Sequence, residues 1–171
     1  MTYICSLDLG TQNIGWAYGS DDDRAPTTGT YCPPATGKDL GWLLADVRAW
    51  LTPFCRTRAF DLLVYESPVF VAQNNVMTVR KMFALGGLVE LVAYDLKLPC
   101  EEKLPGPVRK HFLGRGNVPK RRPEIKAAVM RQCQILGWKP SNDDEGDAAA
   151  LWSFTIAVKC SPLSQKIGAL L

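Results

Sequence analysis

Ile4-Cys5-Ser6-Leu7-Asp8-Leu9-Gly10-Thr11-Gln12-Asn13-Ile14-Gly15-Trp16-Ala17 is the stretch on which the fold turns. Two apolar runs flank a Gly/Thr/Asn turn, the pattern of a buried strand, a tight hairpin and a second strand. The first run carries one carboxylate, Asp8, where a core strand has no place for a polar group. Aspartate is seldom buried without a partner or a cation. Asp8 is therefore either the first candidate for chemistry or a cap on the hairpin, reaching Thr11 or Asn13.

Outward from the hairpin, residues 14–19 form the second strand and 28–32 a third, separated by the turn Asp21-Asp22-Asp23-Arg24, so the chain begins with an antiparallel meander. Residues 38–54 place Leu40, Leu43, Leu44, Val47, Trp50 and Leu51 at helical spacing, with Pro53 near the end. Phe60-Asp61-Leu62-Leu63-Val64-Tyr65-Glu66 is a nearly all-apolar fourth strand of the kind buried on both faces, and it too ends in a carboxylate. A long helix is expected over 74–96, with apolar residues on two stripes: Met77, Leu85, Leu88, Val92 and Leu96 on one, Val79, Phe83, Leu91 and Tyr94 on the other. One stripe suits the sheet; the other suits either a partner subunit or the same core. Residues 98–104 form an edge strand, because Pro99 lacks a ladder donor. Three helices follow, over 105–113, from Pro123 to Leu136 with Ile125, Val129 and Leu136 inward, and from Ser141 or Asn142 to about Cys160.

A chain of 171 residues with 47% hydrophobic content is expected to make one unit, residues 1–171, with an ample core. No apolar run is long enough for a membrane span, and the start, directly with a strand, does not resemble a signal peptide. The six cysteines show no C-x-x-C pair and read as reduced core residues of a cytoplasmic protein, bacterial or phage-encoded. Charge is uneven: residues 109–131 carry +7 and the remainder −4. A basic patch opposite an acidic site suits a polyanion partner such as nucleic acid. The single histidine, His111, excludes an imidazole-rich zinc site and disfavours a Ser-His-Asp triad, so it is taken as a surface residue.

The last helix opens with Asp143, Asp144, Glu145 and Asp147. Acids favour a helix N-terminus by about 0.3–1 kcal/mol each, so alone they say little. Asp144 and Asp147 are three apart and share a face, and Asp143 and Asp147, four apart, also do; Ala148-Ala149-Ala150-Leu151 turns the helix toward the core. With Asp8 and Glu66, four carboxylates would converge at one sheet edge. Two such charges about 4 Å apart repel by roughly 4 kcal/mol at an effective dielectric of 20, so the cluster calls for cations. Magnesium, a hard ion that takes oxygen ligands and in pairs clamps a phosphoryl transfer, meets that need.

These pieces resemble the RuvC family of Holliday-junction resolvases, within the ribonuclease H-like superfamily. The resemblance is carried, in order, by Ser6-Leu7-Asp8-Leu9-Gly10-Thr11, Leu63-Val64-Tyr65-Glu66, Val69-Phe70-Val71-Ala72-Gln73-Asn74, the segment from Pro107-Val108-Arg109 through Gly114-Arg115-Gly116 to Lys120, and Asp144-Glu145-Gly146-Asp147-Ala148. It implies an α/β fold with a mixed five-stranded sheet, order 3-2-1-4-5, flanked by helices. It implies Asp8, Glu66, Asp144 (rather than Asp143) and Asp147 as ligands of two magnesium ions, manganese substituting, and a product with 5′-phosphate and 3′-hydroxyl ends. Lys120 would be catalytic, stabilising transition-state charge, and Arg109 would lie near the scissile phosphate. Phe70 would wedge against bases at a crossover, or else be a core aromatic beside Pro68. One extra residue around Ser67-Pro68 separates Glu66 from that aromatic.

The expected function is a homodimeric, magnesium-dependent endonuclease resolving four-way DNA junctions by paired symmetric nicks, joined through the 74–96 helix. The basic window, with Arg109, Lys110, Arg115, Lys120, Arg121 and Arg122, would hold phosphates. The alternatives are a nuclease of broader taste for flaps, forks or RNA–DNA hybrids, and an inactive junction-binding module. A small actin-like ATPase fragment would lack its second phosphate-binding loop.

Overall fold

The computed structural model describes residues 1–69, 75–114 and 121–160, so Phe70, Arg115 and Lys120 lie outside the described residues. β1 (Tyr3–Asp8) pairs antiparallel with β2 (Ile14–Ser20), and β2 with β3 (Thr27–Tyr31), which gives the meander. β4 (Leu62–Glu66) runs parallel to β1, and β5 (Cys100–Lys103) parallel to β4. Parallel neighbours need long crossovers. α1 (Leu40–Thr57) connects β3 to β4, and α2 (Val76–Asp95) connects β4 to β5. The sheet order is β3-β2-β1-β4-β5, the mixed order expected. α3 (Pro105–Leu113), α4 (Arg122–Ile135) and α5 (Asp143–Lys159) close the chain.

Strand alternation sorts the core into two layers. Cys5 and Leu7 of β1, with Leu63 and Tyr65 of β4, pack beneath α1 and α2 against Leu43, Val47, Leu85 and Val89. Ile4 of β1, with Leu62 and Val64 of β4, packs on the other face against Val108, Val129 and Leu151 of α3, α4 and α5. The even-numbered positions of both strands therefore face the α3–α5 layer, and Asp8 and Glu66 continue that series at the strand ends.

Several details depart from the sequence reading. Pro53 lies inside α1, which continues to Thr57. Phe54 and Cys55 are buried beyond it and hold the extra turn in the core, although proline removes one ladder donor. Leu136 is 46% exposed, because α4 ends at Ile135 and Cys133, four residues after Val129, takes the inward position. Of the cysteines, all free, only Cys5, Cys55 and Cys133 are buried; Cys32 is exposed and Cys100 and Cys160 half-buried. β5 is shorter than expected but occupies the edge. His111 is exposed on α3, with Nε2 3.3 Å from the Ser153 hydroxyl. On α2, Leu85, Leu88 and Val92 are buried; of the second stripe Phe83, Leu91 and Tyr94 stand exposed and Val79 is half-buried, with Val79 and Phe83 on the wall of the cavity that Asp8 and Glu66 line. Among the described residues no helix is long and apolar enough to cross a membrane.

Candidate active site

Asp8 and Glu66 emerge at the carboxyl ends of adjacent parallel strands. Leu7 and Tyr65 form the last pair of the β1–β4 ladder, and Asp8 and Glu66 each follow by one residue, side by side on the same face. α5 brings the other acids to that point. Its backbone crosses the hairpin so closely that a Cβ on Gly15 would overlap the carbonyl oxygen of Asp144, which is why glycine stands there. Ser6 adds a tether: its hydroxyl donates to the carbonyl of Ala148 at 2.7 Å. Small residues along α5, Ala148 to Ala150, let the helix sit directly on β1 and β2.

The N-terminus of α5 is fixed from the opposite side. Asn142 is the cap, its side-chain oxygen accepting from the Glu145 N–H at 2.9 Å while its amide donates to the Thr30 hydroxyl at 2.8 Å. Glu145, only 5% exposed, accepts from the hydroxyls of Thr28 (2.8 Å) and Thr30 (3.0 Å) and from the Ser141 N–H (2.9 Å). This acid, one of four in the first turns of α5, is spent on structure. The other three face a cavity of about 640 Å³ that Asp8 and Glu66 also line.

Crowding of like charge shows in the ionisation of the cluster. Burial pushes the Asp8 carboxyl well above the usual range, and the charges of Asp147, Glu66 and Asp144 push it further; Lys126 eases it. Burial raises Glu66 to about 7, with Arg109 opposing and Asp147 adding. Asp147 is raised chiefly by burial, against the pull of Lys126 and Arg109. Asp143 moves the other way, held low by its hydrogen bond from Lys126. Asp144 is among the charges that act on Asp8, and it also accepts from the Asn13 amide at 3.0 Å. Among the described residues Asp8 makes no hydrogen bond to the hairpin turn, so the capping alternative finds no support.

Basic side chains sit at both flanks. Arg109 of α3 donates to Glu66 at 3.3 Å. Lys126 of α4 pairs with Asp143 and lies 3.5 Å from Asp144. Arg122, one helical turn before Lys126, lines the cavity as well. Arg121 is exposed and pairs loosely with Glu124 at 4.0 Å, and Lys110 is exposed; neither lines the cavity. Sequence alone marks Asn13 only as a hairpin residue within reach of Asp8, and Lys126 only as one charge of the 109–131 basic window. The spacing of Arg122 and Lys126, four apart on one helix, was the available signal for Lys126.

The donor set fits a hard divalent cation in kind, since every acid offers carboxylate oxygens and the cluster repels itself. It is not closed into a ligand cage: among the described residues no three His, Cys, Asp or Glu side chains are gathered as a set that could hold a metal ion. Glu66 leans instead on Arg109, and Asp144 on Lys126.

No family model and no curated protein sequence matches the chain. Solved structures do. RuvC from Thermus thermophilus, determined in complex with a Holliday junction substrate, superposes with a TM-score of 0.67 at 16% identity, over 94% of this chain and 97% of its own. Another Thermus thermophilus RuvC structure gives 0.63 at 17% identity, over 93% and 96%. The yeast mitochondrial Holliday junction resolvase Ydc2 gives 0.65 at 12% identity, over 93% of this chain and 79% of its own. At such identities the likeness is one of fold, and it extends over nearly the whole chain.

Proposed function

We propose that this chain, which has the fold of the RuvC resolvases, is a divalent-metal-dependent endonuclease that cuts four-way DNA junctions by paired symmetric nicks. The observation that carries the reading is the meeting of Asp8, Glu66, Asp144 and Asp147 on one cavity, with Arg109, Arg122 and Lys126 on its walls. Asp8, Glu66, Asp144 and Asp147 would hold the magnesium ions. When bound, these supply a water made reactive at neutral pH and charge stabilisation at the phosphate oxygens.

The chain's own groups do the rest. Strands β1 and β4 hold Asp8 and Glu66 on rigid backbone, and Asn13 fixes the carboxylate of Asp144 through its amide. Arg109 and Arg122 present donors to a phosphodiester entering the cavity, and phosphate contacts of this type make binding steeply salt-dependent. Two cuts related by a two-fold axis need two such sites. Leu91 and Tyr94, exposed on α2 and away from the cavity, are the surface assigned to the second copy. Lys120 as a transition-state stabiliser and Phe70 as a base wedge complete the proposal from sequence, outside the described residues.

The test compares labelled four-way junctions with nicked junctions, flaps, forks and RNA–DNA hybrids, in magnesium, manganese or chelator. Symmetric metal-dependent nicks in the intact junction, at rates well above the other substrates, are expected. Equal cutting of flaps and forks would favour a broader structure-selective nuclease. Binding without cutting in either metal would leave a junction-binding module.

A further inference from the structure

The acidic cluster already holds a cation. Lys126 rises from α4 to pair with Asp143 and approaches Asp144 to 3.5 Å, and its charge also acts on Asp8 and Asp147. The approach is built into the helix packing. Where α4 crosses α5, a Cβ on Gly146 would come within 2.9 Å of the Met130 sulfur and 3.5 Å of Val129, so glycine lets the two helices close and Lys126 reach the first turn of α5. Its side chain is 27% exposed, enough to swing away but not a freely solvated lysine.

Asp144 is therefore shared. Its Oδ2 accepts from Asn13, which ties it to the hairpin, and its Oδ1 faces Lys126. The same carboxylate cannot give both oxygens to a divalent ion while an ammonium stands beside one of them. No comparable ion pair restrains Asp8 or Asp147 among the described residues. We infer that Lys126 is a resident counter-ion that competes with a divalent cation for Asp144, so that metal entry on this flank requires the ammonium to leave. The inference rests on the metal-dependent reading above and adds a residue that sets metal affinity. The asymmetry follows directly. The Asp144 flank should fill at higher metal concentration than the rest of the site, and the departing ammonium remains on the wall of the cavity.

The experiment is calorimetric titration of manganese into chelator-treated full-length protein, with wild type, Lys126→Gln, Lys126→Arg and Arg131→Gln. Arg131 is exposed on the same helix and does not line the cavity, so its variant removes equal charge from elsewhere. Lys126→Gln should bind the weaker manganese ion about three- to fivefold more tightly, the worth of one partly exposed ion pair. Lys126→Arg should stay near wild type and Arg131→Gln within about twofold. An unchanged or weaker affinity in Lys126→Gln overturns the inference, as does an equal gain in Arg131→Gln. A second readout needs no variant: the side-chain ammonium resonance of Lys126 should shift as magnesium is added to wild type, while that of Lys139 stays fixed. A static Lys126 signal at metal saturation also overturns it. Wild type that binds neither metal sinks the metal reading itself, a failure distinct from wild type that binds while Lys126→Gln does not differ.

Discussion

Two acidic regions lie within one turn of each other at the start of α5, and they are built in opposite ways. On the outer side Glu145 is buried, yet each oxygen accepts hydrogen bonds from Thr28, Thr30 or the Ser141 backbone. On the inner side Asp147 is drawn against Asp8 and Glu66, and burial with mutual repulsion pushes those carboxyls above their usual range. Burial of an acid is thus no mark of function by itself. What separates the two regions is how fully the protein supplies partners: both oxygens of Glu145 are satisfied, whereas Asp8 and Asp147 have no ion pair among the described residues and repel each other, which is the arrangement the proposed metal would relieve.

The sharpest way to break this comparison is to remove the charge on each side in turn. Asp8→Asn or Asp147→Asn should lower junction cleavage by about a thousandfold or more, with junction binding within about threefold, as expected where the acids serve chemistry and the basic walls serve affinity. Gel assays of both on one substrate measure this. Retained cutting by both variants would remove the inner region from the mechanism.

The outer region predicts a loss of stability instead. Glu145→Ala strands two hydroxyls and a backbone N–H near the core and should cost about 2–3 kcal/mol in urea unfolding. A cost below about 1 kcal/mol would mean that Glu145 is not the fastening of α5 to β3.

Asp147→Asn should do the reverse in metal-free protein. Its folded pKa is raised, to about 6, so ionising it opposes folding. That cost is absent below the unfolded value near 4 and grows as pH rises through the folded one. Asn at this position should therefore add roughly 1–2 kcal/mol at pH 7.5 in chelator, a gain that fades toward pH 4. A gain independent of pH would place its origin in packing. The smallest effect on folding is expected at the far end of α2. Leu91→Asp should separate a dimer into monomers in sedimentation while changing monomer stability by only about 0.5 kcal/mol, because Leu91 is exposed. Wild type that sediments as a monomer would remove the second copy from the proposal.

Much of this is legible in the amino-acid sequence. Apolar runs ending in Asp8 and Glu66 mark strands, and period-two alternation puts both acids on the face opposite Leu7 and Tyr65. Caps, glycines and prolines placed the helices closely, with α3 matching its expected span. The division of labour between Glu145 and its neighbours was not legible, because it depends on which side of α5 meets β3. Lys126 was hidden for a similar reason: its partners lie 17 and 18 residues away, on another helix. Pro53 and Leu136 show local signals overruled by packing, one by buried residues beyond a helix breaker, the other by a helix that ends one residue early.

The most direct measurement is a crystal of the full chain grown with manganese and examined by anomalous scattering. Density within ligand distance of Asp8, shared with Glu66, Asp144 or Asp147, is the expected result. Manganese bound elsewhere with none at Asp8, under conditions where the protein cuts DNA, would contradict the claim that these acids meet in order to hold metal.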